Sequence, residues 1–345
     1  MSQNALVNEM NVLEVEMPVA DERDVRAVEH VSIAQLSIND ARINRGQVIH
    51  AAAILVLPTM GVAAAAYLAV RDGVSLMEIT VLAAMYSVAW IGITVGYHRL
   101  FTHHAFRAGK LVRMGLAIAG STAGQGPVNY WVTNHRRHHH YSDKPGDIHS
   151  PYYRGRDAIK GGFFSKFFHS QVAWTFIHEH SNTAVIAKDM LRDLSIARIH
   201  RQYFLWLGLS FVLPAVIGGL WTMSPLGALK GFLWGGLMRL FLTYHSTNFI
   251  TSLTHMWGKQ VYKTTDSSRN NGWLAVITFG EAWHNNHHAF PSWAYFQHRW
   301  YQIDLGGIFI RTLELLGLVY DVRRPLQRAM DARSLARRPH VVSSS

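Results

Sequence analysis

Long uncharged apolar runs alternate along the chain with short segments crowded with arginine and histidine. Residues 1 to about 40 are polar and carry Glu9, Glu14, Glu16, Asp21, Glu22, Asp24 and Glu29. That composition predicts a mobile tail, drawn here as residues 1–45. From Gly46 to Val70 there is no Asp, Glu, Lys or Arg, a run long enough to cross about 30 Å of hydrocarbon as a helix. The first span is therefore expected at about 47–70, and Arg71-Asp72-Gly73 turns the chain into a second at about 76–97, which ends directly at His98.

The stretch from Met114 to Thr133 is also uncharged, but its Gly, Ser, Thr, Gln and Pro content predicts a packed segment near the membrane surface and not a lipid-exposed span. Residues 141–200 are polar with aromatic interruptions, as in interfacial helices. A third span is expected at about 202–222 and a fourth at about 226–253. Lys230 and Arg239 interrupt the fourth, the first placed to snorkel and the second required to face protein or water. Residues 254–322 include an apolar helix in LGGIFIRTLELLGLVYD, and 323–345 form a basic tail.

Composition narrows this to a membrane protein. Only 16% of residues are charged, and 12% are aromatic. Arg42 and Arg45 precede the first span, while Arg99, Arg107, Lys110, Arg113, Arg136 and Arg137 follow the second. The excess of basic residues on cytoplasmic flanks places these segments, and with four spans both termini, on the cytoplasmic side. The net charge of +11 reads as anchoring beside an anionic leaflet, and no nucleic-acid partner is expected. The fold expected is all-α: a polytopic body over residues 46–322, with four transmembrane helices and a cytoplasmic helical cap made of 98–201 and 254–322.

The chain has 21 histidines and no cysteine, which excludes thiolate chemistry and leaves nitrogen and oxygen as metal ligands. His135, His138 and His139 stand at i, i+3 and i+4, and so do His284, His287 and His288. This spacing puts three imidazoles on one helical face. His98 and His103 are five apart and lie about 140 degrees from each other on a regular helix, so the helix must bulge or stop there for both to face one site. His104 and His140 fall off the preferred face. His149, His169, His178, His180, His200, His245 and His298 are isolated, and a structural role is the expectation for each. His255, just after the fourth span, falls on the same side as the clusters. Eight or nine imidazoles are too many for one ion and suit two metals of four or five ligands each, with iron, copper, nickel and zinc all compatible. Glu281 and His284 form a single Glu-x-x-His, whereas carboxylate-bridged di-iron bundles use two.

HRLFTH, HRRHH and HNNHH in this order, with spans before the first and between the second and third, resemble the membrane-bound fatty acyl desaturases of the stearoyl-CoA (Δ9) type. The resemblance runs from about residue 47 to 322 and includes GITVGYHRLFTH, WVTNHRRHHHYSD, the KDMLRD stretch around Asp189 and Asp193, SLTHMWG and GEAWHNNHHAFP. It implies a di-iron centre ligated by His98, His103, His135, His138, His139, His255, His284, His287 and His288, with O2 as co-substrate. It also implies a fatty acyl thioester or lipid substrate and a separate electron donor of cytochrome-b5 or ferredoxin type, since no His-Pro-Gly-Gly haem signature is present.

Two positions depart from the family. Thr251 stands where the family has an Asn that holds a metal-bound water. Trp90, eight residues before His98, replaces a small residue near the closed end of the acyl tunnel; if it faces the tunnel, with Tyr86 and Trp131 as further lining, a medium-chain or shorter substrate follows. Hydroxylation or acetylenic-bond formation at the same centre is the nearest rival to desaturation. A metal transporter is the rival from another class, weakened by the absence of acidic residues within the spans apart from Glu78 at a span edge.

Overall fold

The computed structural model describes residues 35–335; the expected tails over 1–34 and 336–345 lie outside the described residues. Helix α1 (Ala41–Asp72) begins ahead of the expected boundary because the Asp40 carboxylate caps it, accepting from the amides of Arg42 and Ile43 at 2.8 and 3.1 Å. Ser37–Ile38 pairs antiparallel with His180–Ser181, so residues 35–45 strap the cap to the first long helix. At the other end, the amide of Arg323 donates to Ala105 O at 2.9 Å, and that of Lys263 to Arg333 O at 2.9 Å. The start of the expected basic tail therefore packs on the cap.

Helix α2 runs over Leu76–Ile91 and continues as a π-helical segment, Gly92–Thr102. Helices α3 (Lys110–Ser121) and α4 (Val128–Tyr141) follow, then short helices and turns and α5 (Leu194–Arg201). Helix α6 (Tyr203–Thr222) leads to a continuous helical run, α7, made of Pro225–Gly231, π-helical Phe232–Met238 and Arg239–Thr251. Helices α8 (His284–Ala289) and α9 (Leu305–Leu315) complete the cap.

Among the described residues, three helices are long and apolar enough to cross a membrane: Ala41–Asp72, Leu76–Thr102 and Tyr203–Thr222. Their outward faces present side chains such as Val56, Leu57, Phe204, Leu213 and Leu220. The segment expected as a fourth span is the helical run α7, but it is not among the three; it carries Lys230 and Arg239 and turns polar from Thr243 onward. Both charges are satisfied inside the protein. Lys230 Nζ lies 3.1 Å from Glu78 Oε1. Arg239 is fully buried, as required, and donates to Ser210 Oγ at 2.8 Å, to Gly235 O at 3.2 Å and to Thr122 O, tying α7 to α6 and the end of α3.

The main core sits where the long helices meet the cap and includes Trp90, Tyr97, Phe101, Phe106, Trp283 and Phe296. Its tightest crossing is between the π segment and α3, where a Cβ on Gly92 would stand 2.1 Å from Gly120 N. Backbone cannot retreat from such a contact as a side chain can. Gly92→Val is expected to destabilise the folded protein by about 3 kcal/mol or more, read as a lower thermal midpoint in detergent. Gly208→Ala, where nothing lies within 4 Å of the added Cβ, should leave the midpoint unchanged or slightly raised.

Candidate metal centre

The histidines converge because each carrying element is shaped locally to aim them. In the π segment the amide of His103 closes an i→i+5 hydrogen bond onto His98 O at 3.2 Å, and in a ladder of that pitch residues five apart stack. The two rings lie 4.8 Å apart. This is the helix distortion that the spacing of the pair demands. The third motif follows a tight turn in which Gly280 adopts φ +101°, with Asp304 packed where a Cβ would stand. Glu281 and His284 are thereby turned inward.

Two cages result. His98, His103, His135, His139 and His287 form one group and His138, His255, His284 and His288 a second, with the ligand atoms of each group within 4.8 Å of one another. The three imidazoles expected on one helical face in each i, i+3, i+4 motif divide between the two cages. In α4 the i, i+4 pair His135 and His139 enters the first cage while His138 enters the second; in α8, His284 and His288 enter the second while His287 enters the first. At about 100 degrees per residue, positions i+3 and i+4 diverge by about 100 degrees, so a helix wedged between two sites feeds both. His104 and His140 belong to neither cage. His104 instead turns outward to Asp189, 3.4 Å away.

Within each cage the Nε2 atoms face one another. His98 and His287 are 2.9 Å apart, His139 and His287 2.9 Å, His135 and His139 3.1 Å, and His255 and His284 2.9 Å. The Nε2 atoms of His103 and His288 are buried with no hydrogen-bond partner. Burial holds His103, His135, His139, His284 and His287 well below the usual imidazole range, so these rings are neutral with a lone pair to give. Convergent, desolvated, neutral nitrogen donors fit a metal ion, and the division into five and four fits two.

Carboxylates behind four of the rings fix their orientation. Asp147 lies 3.0 Å from His138 Nδ1, Asp143 2.9 Å from His255 Nδ1, Asp266 2.7 Å from His288 Nδ1 and Glu281 2.5 Å from His98 Nδ1. The three aspartate contacts are hydrogen bonds that turn Nε2 toward the cage and raise its basicity, whereas Glu281 meets His98 as a charge contact without a hydrogen bond and accepts from Thr94 Oγ1. Burial pushes the carboxyls of Asp147 and Asp266 up, but their histidine partners outweigh it and hold both well below the usual range. His255 alone is raised, because Asp143 overcomes the effect of burial. Asp147 and Asp266 were not singled out in the sequence, Asp143 appeared only at the end of a quoted motif, and Glu281 only as half of a Glu-x-x-His. The one available signal was the run of acids directly after the second motif, Asp143 and Asp147. His149, expected to be isolated, lies beside them, 3.8 Å from Asp147 and with its ring 4.3 Å from that of His138.

A chamber of about 70 Å³ borders the cages, lined in part by Trp90, Trp131, His135, Asn248, Thr251 and His284. Trp90 is buried and stacks on Phe279 with ring centres 6.3 Å apart. Trp131 stacks on His135 at 4.8 Å. Tyr86 does not line the chamber; it packs edge-on behind Trp90 and donates to Ile277 O at 2.7 Å. The Thr251 hydroxyl is turned to backbone, 3.0 Å from both Ser170 O and Asn248 O. One turn earlier, Asn248 accepts from Trp174 Nε1 at 3.2 Å, and its Nδ2 is left buried and unpartnered. Since indole is a donor only, the amide orientation is settled by that contact.

Helices long enough for a membrane, joined to a cap with two all-histidine cages beside a narrow chamber, are compatible with a membrane-associated protein built around a metal centre. The chain belongs to the fatty acid desaturase family, whose sequence model matches residues 76–304. It is 41% identical over 284 residues, covering 81% of this chain and 88% of the relative, to the hex-5-enoyl-[acyl-carrier protein] acetylenase of Moorena producens. It is 35% identical to Delta-9 acyl-lipid desaturase 1 of Arabidopsis thaliana, over 70% of this chain and 73% of that protein. With the sn-1 stearoyl-lipid 9-desaturase of Anabaena variabilis it shares 34% identity over 68% and 79%. The protein acts on acyl chains by desaturation or a related modification, and the metal-transporter reading falls away.

The carboxylates give the first test of the cages. Asp266→Asn keeps the shape but weakens the hold on His288, and metal affinity should fall by about 10- to 100-fold, measured by metal analysis of protein equilibrated with a competing chelator. Unchanged metal content would show that Asp266 does not support the second cage.

Proposed function

We propose that this is a multi-pass, O2-dependent di-iron enzyme that introduces unsaturation into a medium-chain or shorter acyl group. The observation that carries the reading is the pair of histidine cages bordering a chamber of only about 70 Å³ closed by Trp90. At a water's share of about 30 Å³, that is room for about two methylene-sized groups. The relative from Moorena producens, named for a hexenoyl substrate, supports a short chain.

An unactivated methylene has no acidic proton and no leaving group, so acid and base side chains cannot remove its hydrogens. Bound in the cages, two iron ions would supply the oxidising chemistry for that step with O2 and electrons from a donor. The nine histidines named above would hold them, five and four. The chain's own residues do the rest. Asp143, Asp147, Asp266 and Glu281 keep the imidazoles aimed; Trp131 stacks on His135 and sets one wall of the chamber; Trp90, backed by Phe279 and Tyr86, sets its end. All four long helical runs, α7 included, would cross the bilayer with the cages on the cytoplasmic side.

Electrons need a second approach. A separate cavity of about 640 Å³ is lined by His103, His139 and His288 and by Arg136, Lys263 and Arg333. A basic rim over the histidine edges suits a small acidic donor of cytochrome-b5 or ferredoxin type. Lys263→Glu should slow reduction by such a donor about tenfold at low salt, with the difference shrinking as ionic strength rises, followed by stopped-flow oxidation of the donor.

Acetylenic-bond formation is the second reading, favoured by the acetylenase relative. Mass analysis of products from saturated and terminally unsaturated chains separates it: loss of two hydrogens from the saturated chain marks a desaturase, loss only from the enoyl chain an acetylenase. An added oxygen in either case marks a hydroxylase. His287→Ala should abolish conversion, and a variant that keeps it would remove the cages from the reaction. Trp90→Ala should move the length preference to longer chains, by about tenfold or more in relative kcat/KM for each apolar group newly accommodated. An unmoved ladder of acyl lengths would show that Trp90 does not set the chamber's end.

A further inference from the structure

His103 reaches the first cage without the support given to other rings. Carboxylates stand behind His98, His138, His255 and His288, and among the described residues none stands behind His103, so its aim is left to the backbone that carries it. That backbone is a helix end. The π segment stops at His103, and the next residue, His104, takes φ +48°, a left-handed turn that a residue with a side chain adopts at some cost. The last carbonyls of a helix have no partner within it.

A side chain from another helix meets them. Arg136 on α4 donates to Phe101 O at 2.9 Å and to Thr102 O at 3.3 Å, the two carbonyls directly before His103. Its Nη1 and Nη2 also donate to the two carboxylate oxygens of Asp189 at 2.6 and 2.8 Å, and the His104 ring lies 3.1 Å from Arg136 and 3.4 Å from Asp189. A planar fork with several N–H donors can serve a carboxylate and two carbonyls at once. A cation at the carbonyl end of a helix is also favoured by the helix dipole. Because Arg136 directly follows His135, the same latch fixes α4 against the π segment where both feed the first cage. The other arginine of the motif does not share this work: Arg137 donates to Gly146 O at 3.0 Å and to Glu179 at 2.8 Å.

We infer that Asp189 and Arg136 are positioning residues, which cap the π segment from outside and so aim His103 into the first cage. The inference rests on the reading of the cages as a two-metal centre and names residues that keep one of them in shape.

The test measures Asp189→Asn in the full chain, in nanodiscs, in two ways. Without metal, hydrogen exchange followed by mass spectrometry should be faster over residues 99–106, where the amides of His103 and Ala105 close onto His98 O and Arg99 O, and unchanged over 284–289. With cobalt(II) as the probe ion, competition by a chelator should show one of two bound ions held about tenfold more weakly, with the visible spectrum of that ion alone altered. His103→Ala should give the same spectral change, and adding Asp189→Asn to it should weaken binding no further, because both act through one ring. Asp189→Glu, which keeps the charge, should restore most of the binding. Asp193→Asn, which breaks the neighbouring pair with Arg113 at 2.6 Å, should leave both ions as they were. Unchanged cobalt binding in Asp189→Asn, equal weakening of both ions, a loss additive with His103→Ala, or unchanged exchange over 99–106 overturns the inference. Should Asp189→Asn not fold, Arg136→Lys, which keeps a charge and loses the fork, decides on the same readings. If the unsubstituted protein does not hold two cobalt ions, the two-metal reading fails instead, and exchange over 99–106 alone decides the latch: faster exchange in the variant upholds it, and unchanged exchange overturns it.

Discussion

The protein depends on keeping a set of neutral imidazoles out of water with their Nε2 atoms converging. Nitrogens 2.9 to 3.1 Å apart in a buried cluster gain little from one another, and the partnerless Nε2 atoms of His103 and His288 gain nothing. Such a cluster is stable only if something draws on those lone pairs. The surrounding fold supplies the forces that hold it ready: aromatic packing at the junction of helices and cap, and carboxylates behind four rings. Loss of a carboxylate therefore affects the cages through aim and basicity and not through bulk.

Helical geometry explains how few elements suffice. A regular helix could not point His98 and His103 the same way; the π segment does, and it needs Gly92 to pass the backbone of α3. In α4 and α8 the opposite logic applies. Their regular pitch splits each triplet between two sites, two histidines to one and one to the other. The reciprocal split makes the two helices interdependent, since neither cage is complete from one of them. His255, set beyond the end of α7, completes the smaller cage.

Much of this was legible in the sequence. The long apolar helices, the three histidine motifs and the need for a distortion between His98 and His103 follow from period and spacing alone. What spacing could not reveal is which cage each histidine serves, because a shared helical face looks like one claw until the positions of two partners are known. The acids were hidden for a similar reason. Asp266 lies 22 residues from His288 in a segment with no periodic pattern, and Glu281 drew notice only as part of a motif that fits a different architecture. The expected fourth span was read through its charges, and in the structure Lys230 and Arg239 are satisfied within the protein by Glu78, Ser210 and Gly235.

Trp90 and Thr251 show how a departure from a family pattern gains meaning from its surroundings. On sequence alone, Thr251 shortens the arm that holds a water in the family pattern, and Trp90 is a large residue where a small one is usual. In the structure the Thr251 hydroxyl serves the backbone, and the free amide in the chamber belongs to Asn248 one turn away. Trp90 is stacked on Phe279 and braced by Tyr86, so it cannot swing aside without disturbing two other rings. A bulky residue free to move would be a gate. One locked from behind is a wall, and the proposed limit on how much of a chain passes the cages rests on that rigidity.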